Sequence, residues 1–231
     1  TLGENANIET QVNHWATALS DLRQSIRKGT LRESVEKCIV SSPRSVERLR
    51  AHDALMSGNI ANAGLSSTVE GNRRLRCNTP ISRDDPLIQD WIMRISEIHT
   101  PPSHQADILL LLPCSATKPY RLSPSHHRFI KNISSNRIHQ VMVTAPLGLV
   151  PRELEDLWPA AHYDIPVTGD WDEDELSIIR QMLSRLVERV GYSSIVNHSG
   201  IETGLVGINE IDTRKGESAG SKDCLLYTSD A

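Results

Sequence analysis

Residues 106–126 read Ala-Asp-Ile-Leu-Leu-Leu-Leu-Pro-Cys-Ser-Ala-Thr-Lys-Pro-Tyr-Arg-Leu-Ser-Pro-Ser-His. Ile108–Leu112 is the longest strongly apolar run of the chain, and Pro113 closes it. A short continuous run without polar alternation predicts a strand buried on both faces of a parallel sheet. Three more runs have the same character: His139–Thr144, Tyr163–Val167 and Ser194–His198. Helical patterns lie between them, at Ser125–Ile133, Arg152–Trp158 and Glu173–Val190. The last is the clearest, with Leu176, Ile179, Leu183, Leu186 and Val190 on one face. Strands alternating with helices predict an α/β fold, a three-layer core with a parallel sheet and helices on both faces. Ligands of such open sheets bind beyond the carboxyl ends of the strands. Three loops therefore matter: Pro113–Ser125, Ala145–Pro151 and Thr168–Asp172.

Upstream of this unit the pattern is helical. Val12, Trp15, Leu19, Leu22 and Ile26 recur at helical spacing over residues 8–28, and Gly29 is a natural stop. Thr30 and Glu33 are spaced as a capping box for a second helix to about Val40, and Ser42-Pro43 opens a third. The expected organisation is a helical segment over 1–56, a linker over 57–83, an α/β domain over 84–200 and a flexible connection over 201–223. The linker expectation rests on its Gly, Ser and Asn content, and Arg73, Arg74 and Arg76 within it are the chain's most basic short stretch. Asp85-Pro86 caps the first helix of the α/β unit. Residues 224–231 (Cys-Leu-Leu-Tyr-Thr-Ser-Asp-Ala) resemble the translation of a sequencing adapter and are set aside. A chain that starts at Thr1 is expected to lack its true beginning.

The 231 residues carry 25 Lys and Arg against 29 Asp and Glu, a formal net charge of -4. With 38% hydrophobic and 23% charged residues, the composition is that of a folded protein. The balance leaves no global footprint for nucleic acid, so any such contact needs a local patch or another domain. The longest apolar run is far below the roughly 20 residues a membrane helix requires. No signal-peptide pattern opens the chain, and a cytoplasmic setting is expected. Cys38, Cys77, Cys114 and Cys224 show no CxxC pair, which argues against a structural zinc site or a disulfide framework.

Chemistry concentrates in the first loop. Cys114 follows the buried strand, with Lys118 and His126 close behind. A cation and a helix N-terminus both favour a thiolate, and an imidazole transfers protons. These three are the candidate catalytic residues, with Tyr120 and Ser123 as candidate substrate contacts. In the second loop Gly148 lies between prolines and is a candidate anion cradle, a turn being the plain alternative. In the third, Asp170 is suited to a guanine-like N–H edge and Trp171 to stacking on a base. Asp172 is expected to cap the long helix, and an equal reading makes Asp170 a cap as well. The acidic run Asp172–Glu175 suits the first turn of that helix. His127, His139 and His162 lack ligand spacing and read as ordinary histidines, so no metal and no cofactor are expected.

The order Pro113-Cys114-x-x-x-Lys118-Pro119-Tyr120-x-x-Ser123-x-x-His126 resembles archaeosine synthase, a paralogue of the archaeal tRNA-guanine transglycosylase. Ala145–Glu155 and Tyr163–Asp170 continue the resemblance, which covers roughly residues 84–198. Ile26–Glu36 is similar to the last helices of the transglycosylase-like domain. The rest of that domain, its zinc cysteines and the RNA-binding PUA domain have no counterpart in these residues. The resemblance implies a tRNA-modifying enzyme that adds an amine to the nitrile of 7-cyano-7-deazaguanine in the D-loop, giving an amidine. It implies free lysine as donor, glutamine having also been considered, and a separate radical SAM partner that completes archaeosine. Two alternatives stay open: a non-catalytic tRNA-binding scaffold, and a cysteine-dependent nitrile or amide hydrolase. So does direct attack of the amine, with Cys114 only structural.

Overall fold

The computed structural model describes residues 7–56, 74–133, 135–165 and 171–214. Three helices come first: α1 (Ile8–Lys28), α2 (Leu31–Ile39) and α3 (Pro43–Met56). Gly29 ends α1 at a φ of 67°, the left-handed conformation that glycine adopts without steric cost. Thr30 precedes α2, but its side chain makes no capping bond, so the expected capping box does not form. None of α1's residues is buried.

The core is a five-stranded sheet ordered β4-β3-β2-β6-β7, where β2 is Ile108–Pro113, β3 Ile138–Thr144, β4 Gly148–Pro151, β6 Ser194–Asn197 and β7 Asn209–Asp212. Strands β3, β2, β6 and β7 run parallel, and β4 returns antiparallel along the β3 edge. Leu109, Leu110, Leu111 and Leu112 are all buried. Successive strand residues point to opposite faces, so both faces of β2 are covered. Helices α4 (Pro86–Met93), α5 (Pro124–Asn132) and α6 (Glu173–Val190) supply that cover with the turns around them. Asp172 and Glu175 form a capping box on α6, which buries Ile179, Met182, Leu183 and Leu186.

Four expectations change. Ala145–Pro151 is a hairpin whose second arm is β4, not a loop into a helix, and only Arg152–Leu154 winds into a 3-10 turn. From the third apolar run, Tyr163–Asp164 forms β5, which pairs with β1 (Leu75–Arg76) outside the main sheet. That pairing also orders the last part of the expected linker, and residues 57–73 lie outside the described residues. The expected connection after residue 200 contributes β7. Residues 215–231, including Cys224, also lie outside the described residues.

A charge cluster joins the helical segment to the core. Arg32 donates to both carboxylate oxygens of Asp53 at 2.7 and 2.9 Å and to Glu36 at 2.8 Å. Glu36 in turn accepts from Ser82 at 2.7 Å and Thr79 at 2.9 Å. Buried charges persist only when paired and hydrogen-bonded in this way. Among the described residues, no helix is long and apolar enough to cross a membrane.

Candidate active site

Pro113 ends β2, and the chain turns out into the Cys114 loop at the carboxyl end of the sheet. Cys114 is half-buried. Lys118 folds back with its Nζ 4.2 Å from the centre of the Tyr163 ring, a cation–π arrangement. Burial lowers the Lys118 pKa from its ordinary 10.5, while the nearby Cys114 and Asp164 act in the opposite direction. Desolvation of an ammonium favours the neutral amine, which is how proteins bring a lysine towards proton-transfer duty.

Behind them lie three buried hydroxyls. Tyr120 stands on a 3-10 turn (Tyr120–Leu122), Tyr163 on β5 and Thr144 at the end of β3. The Tyr120 and Tyr163 hydroxyls are hydrogen-bonded to each other, and Thr144 Oγ1 lies 2.6 Å from the Tyr163 hydroxyl. Burial pushes both phenols upward, and the charge of Cys114 adds to this at each. Lys118 and the two phenols are thus buried together, with half-buried Cys114 close enough for its charge to act on each. Sequence reading missed Tyr163 and Thr144. The available signal was a hydroxyl-bearing residue ending or opening an apolar run.

His126 takes another role. Its ring is fully buried. Its Nε2–H donates to the Pro113 carbonyl at 3.0 Å, and its Nδ1 accepts from the Arg152 guanidinium at 2.9 Å. Burial, with Arg152 beside it, pushes His126 from its ordinary 6.5 down to about 3. A neutral ring with both nitrogens occupied has no proton to offer a substrate. It anchors the strand end from which Cys114 projects. Ser123 is also buried, and its hydroxyl caps α5 by accepting from His126 N–H at 3.2 Å, so it is a helix cap rather than a substrate contact.

Gly148 lies at a φ of 73°, where a Cβ would stand 2.1 Å from Met182 Sδ. With Arg83, Thr144, Pro146 and Glu175 it lines a shallow depression beside the loop. Trp171 is half-buried against the core, next to the Asp172 that pairs with Arg83. Asp170 lies outside the described residues. Arg74, from the basic stretch, pairs with Asp164 at 3.7 Å near Lys118, and Arg73 lies outside the described residues. The buried thiol of Cys77 is pushed up to about 12 by burial and is chemically quiet.

Residues 88–221 match the family described as "Domain of unknown function (DUF5591)". The "Archaeosine synthase subunit alpha" of Methanosarcina acetivorans is 38% identical over 184 residues, 78% of this chain and 28% of that protein. The protein of the same name from Thermoplasma acidophilum is 38% identical over 177 residues, 76% of this chain and 33% of that protein. The "tRNA-guanine(15) transglycosylase" of Methanobrevibacter smithii is 26% identical over 215 residues, 88% of this chain and 30% of that protein. The chain thus spans about a third or less of the length of these curated relatives. The family match runs over more than half of the chain, which therefore belongs to the family described as "Domain of unknown function (DUF5591)".

Proposed function

We propose that this chain is the reaction-centre portion of a tRNA-modifying enzyme of archaeosine biosynthesis. The observation that supports this most is the meeting of Cys114 and a desolvated Lys118 against the Tyr120–Tyr163–Thr144 hydroxyls at the carboxyl end of the sheet. The name of the Methanobrevibacter smithii relative, a "tRNA-guanine(15) transglycosylase", supports tRNA as the substrate class.

In this reading, the Cys114 thiolate adds to the nitrile carbon of 7-cyano-7-deazaguanine held in tRNA. A C–S bond forms as one carbon–nitrogen π bond breaks. The nitrogen takes a proton from the Lys118 ammonium, leaving a thioimidate. The amine of free lysine then adds to the same carbon. The C–S bond breaks, Cys114 leaves as thiolate, and an amidine remains. The proton lost by the incoming amine returns to Lys118. A lysine with a lowered pKa suits both transfers. His126 acts as a positioning residue in this scheme. The base must leave its stack to reach Cys114, and the sequence offers Trp171 to stack on it and Asp170 to hold its edge. A separate radical SAM partner would complete archaeosine.

Nucleoside mass spectrometry tests the reading. The chain is incubated with tRNA carrying the nitrile base, with and without lysine. It is tested alone and in place of the matching segment of the Methanosarcina acetivorans relative. A base heavier by one lysine is the expected product. An unchanged base in both settings overturns the assignment. A hydrolysed base would instead identify a nitrile hydrolase.

A further inference from the structure

We propose that His99, His139 and Glu153 form a binding site for one divalent transition-metal ion of the zinc class, at the end of β3 opposite the Cys114 loop. The site does not rest on the proposed activity. His139 is the second residue of β3. The antiparallel register that pairs Val141 with Pro151 brings position 153 alongside position 139. His99 follows the π-helical turn Arg94–Ile98. Three segments far apart in sequence thus place one donor each at one spot, and their donor atoms all lie within 4.8 Å of one another.

Glu153 Oε1 is 3.0 Å from His99 Nε2 and 3.2 Å from His139 Nε2. Ligands at zinc-type bond lengths and tetrahedral angles are about 3.3 Å apart. The Glu153 oxygen already stands within a few tenths of an ångström of that spacing from each imidazole. The supporting shell is built. Tyr192 Oη lies 2.5 Å from His139 Nδ1, which fixes the ring as metal-bound histidines are commonly fixed. Arg189 donates to the carbonyls of Ser96, Ile95 and His99, locking the turn that carries His99.

A second observation points to a ligand. His139 is fully buried, and its Nε2 faces the cluster 3.2 Å from Glu153 Oε1 but out of hydrogen-bond alignment. A buried polar atom without a partner is costly, and an ion would satisfy it. His99 and Glu153 stay partly open to solvent, which leaves an entry path and room for water as further ligand. Two imidazoles and one carboxylate select zinc, cobalt or nickel over magnesium or calcium, which take oxygen ligands. Five residue steps of β3, about 16 Å at ~3.3 Å each, separate His139 from Thr144. The ion would therefore clip the sheet edge together without entering the chemistry at Cys114.

The test uses the chain without a histidine tag. It is loaded separately with Zn2+, Co2+ and Mg2+, freed of excess ion and assayed by elemental analysis. One equivalent of Zn2+ or Co2+ is expected, and none of Mg2+. The Co2+ form should show d–d absorption without a thiolate charge-transfer band. His99→Ala and Glu153→Gln, both away from the deep core, should each weaken binding at least tenfold, with folding checked by circular dichroism. Tyr192→Phe should weaken it about tenfold through His139. Cys114→Ser should bind as the parent does. Loss of all Zn2+ from the parent, a thiolate band, or unchanged affinity in both His99→Ala and Glu153→Gln overturns the proposal.

Discussion

His126 and His139 are both fully buried, and each sits at one end of the same sheet. Their partners make them different groups. His126 has a carbonyl on one nitrogen and a guanidinium on the other, so it is neutral and fully spoken for. His139 has Tyr192 on Nδ1, and on Nε2 only the Glu153 carboxylate at 3.2 Å, out of hydrogen-bond alignment. Sequence context pointed the other way: His126 stands among a cysteine and a lysine, while His139 stands in an apolar strand. Proximity along the chain groups candidate residues, but does not say which of them has a nitrogen left to use. On the proposed reading, chemistry at one end of the sheet falls to Cys114 and Lys118, and the other end is left to a metal ion at His139.

The largest effect expected at the loop end is from Cys114→Ala. Loss of a covalent nucleophile should cut amidine formation roughly 10³-fold or more, with tRNA binding unchanged. Full turnover in that variant would leave direct attack by the amine as the surviving route. Next comes Lys118→Arg, which keeps the charge and removes an exchangeable proton near neutrality. A loss of about 10²-fold is expected, as for a missing general acid. The pH profile separates this from misfolding. Burial lowers Lys118 from 10.5, so the parent's rate should fall as pH rises through a value below 10.5. In the arginine variant that alkaline limb should vanish from the accessible range.

His126→Gln sharpens the contrast between chemistry and anchoring. The folded pKa of about 3 lies below the ordinary 6.5, so the unfolded chain binds a proton that the folded chain refuses. The stability this provides is complete above pH 6.5 and is lost as pH falls towards 3. The slope for one proton approaches about 1.4 kcal/mol per pH unit. Urea titrations of the parent at pH 6.5 and pH 5, above most carboxylate titration, should show that loss. The glutamine variant should show a flatter response, with the Lys118 limb of the rate profile retained. A variant that loses the rate as completely as Cys114→Ala, at unchanged stability, would restore a catalytic role to His126.

The elements that were legible share a physical reason. Strand β2 is buried on both faces and reads as a plain apolar run, and β3 and β6 each carry a shorter apolar stretch at their centre. Strand β4 was hidden because a four-residue arm from Gly148 to Pro151 looks like turn material. Its ladder is supplied by β3, not by its own composition. The β1–β5 pair has the same problem, two residues on each side. At the site, Cys114 and Lys118 were legible because one loop carries both. Thr144 and Tyr163 arrive from separate strands, and His99, His139 and Glu153 from three segments. Only the sheet brings them together, and no residue spacing records that.

The same lesson applies to helices α1 and α6, which carry the same apolar period. Leu186 on α6 is fully buried, whereas Leu19 on α1 is 47% exposed and Trp15 67%. Periodicity fixes which residues share a face, but not whether anything covers it. Truncating a fully buried leucine costs about 2–5 kcal/mol through lost contacts and a cavity. Leu19→Ala should therefore change stability by less than about 0.5 kcal/mol, since alanine keeps the helix and little packing is lost. Chemical denaturation of the chain measures this directly. A cost above about 2 kcal/mol would mean that the α1 face is covered in solution, and the helical segment would then have to be counted as core rather than as an exposed approach to it.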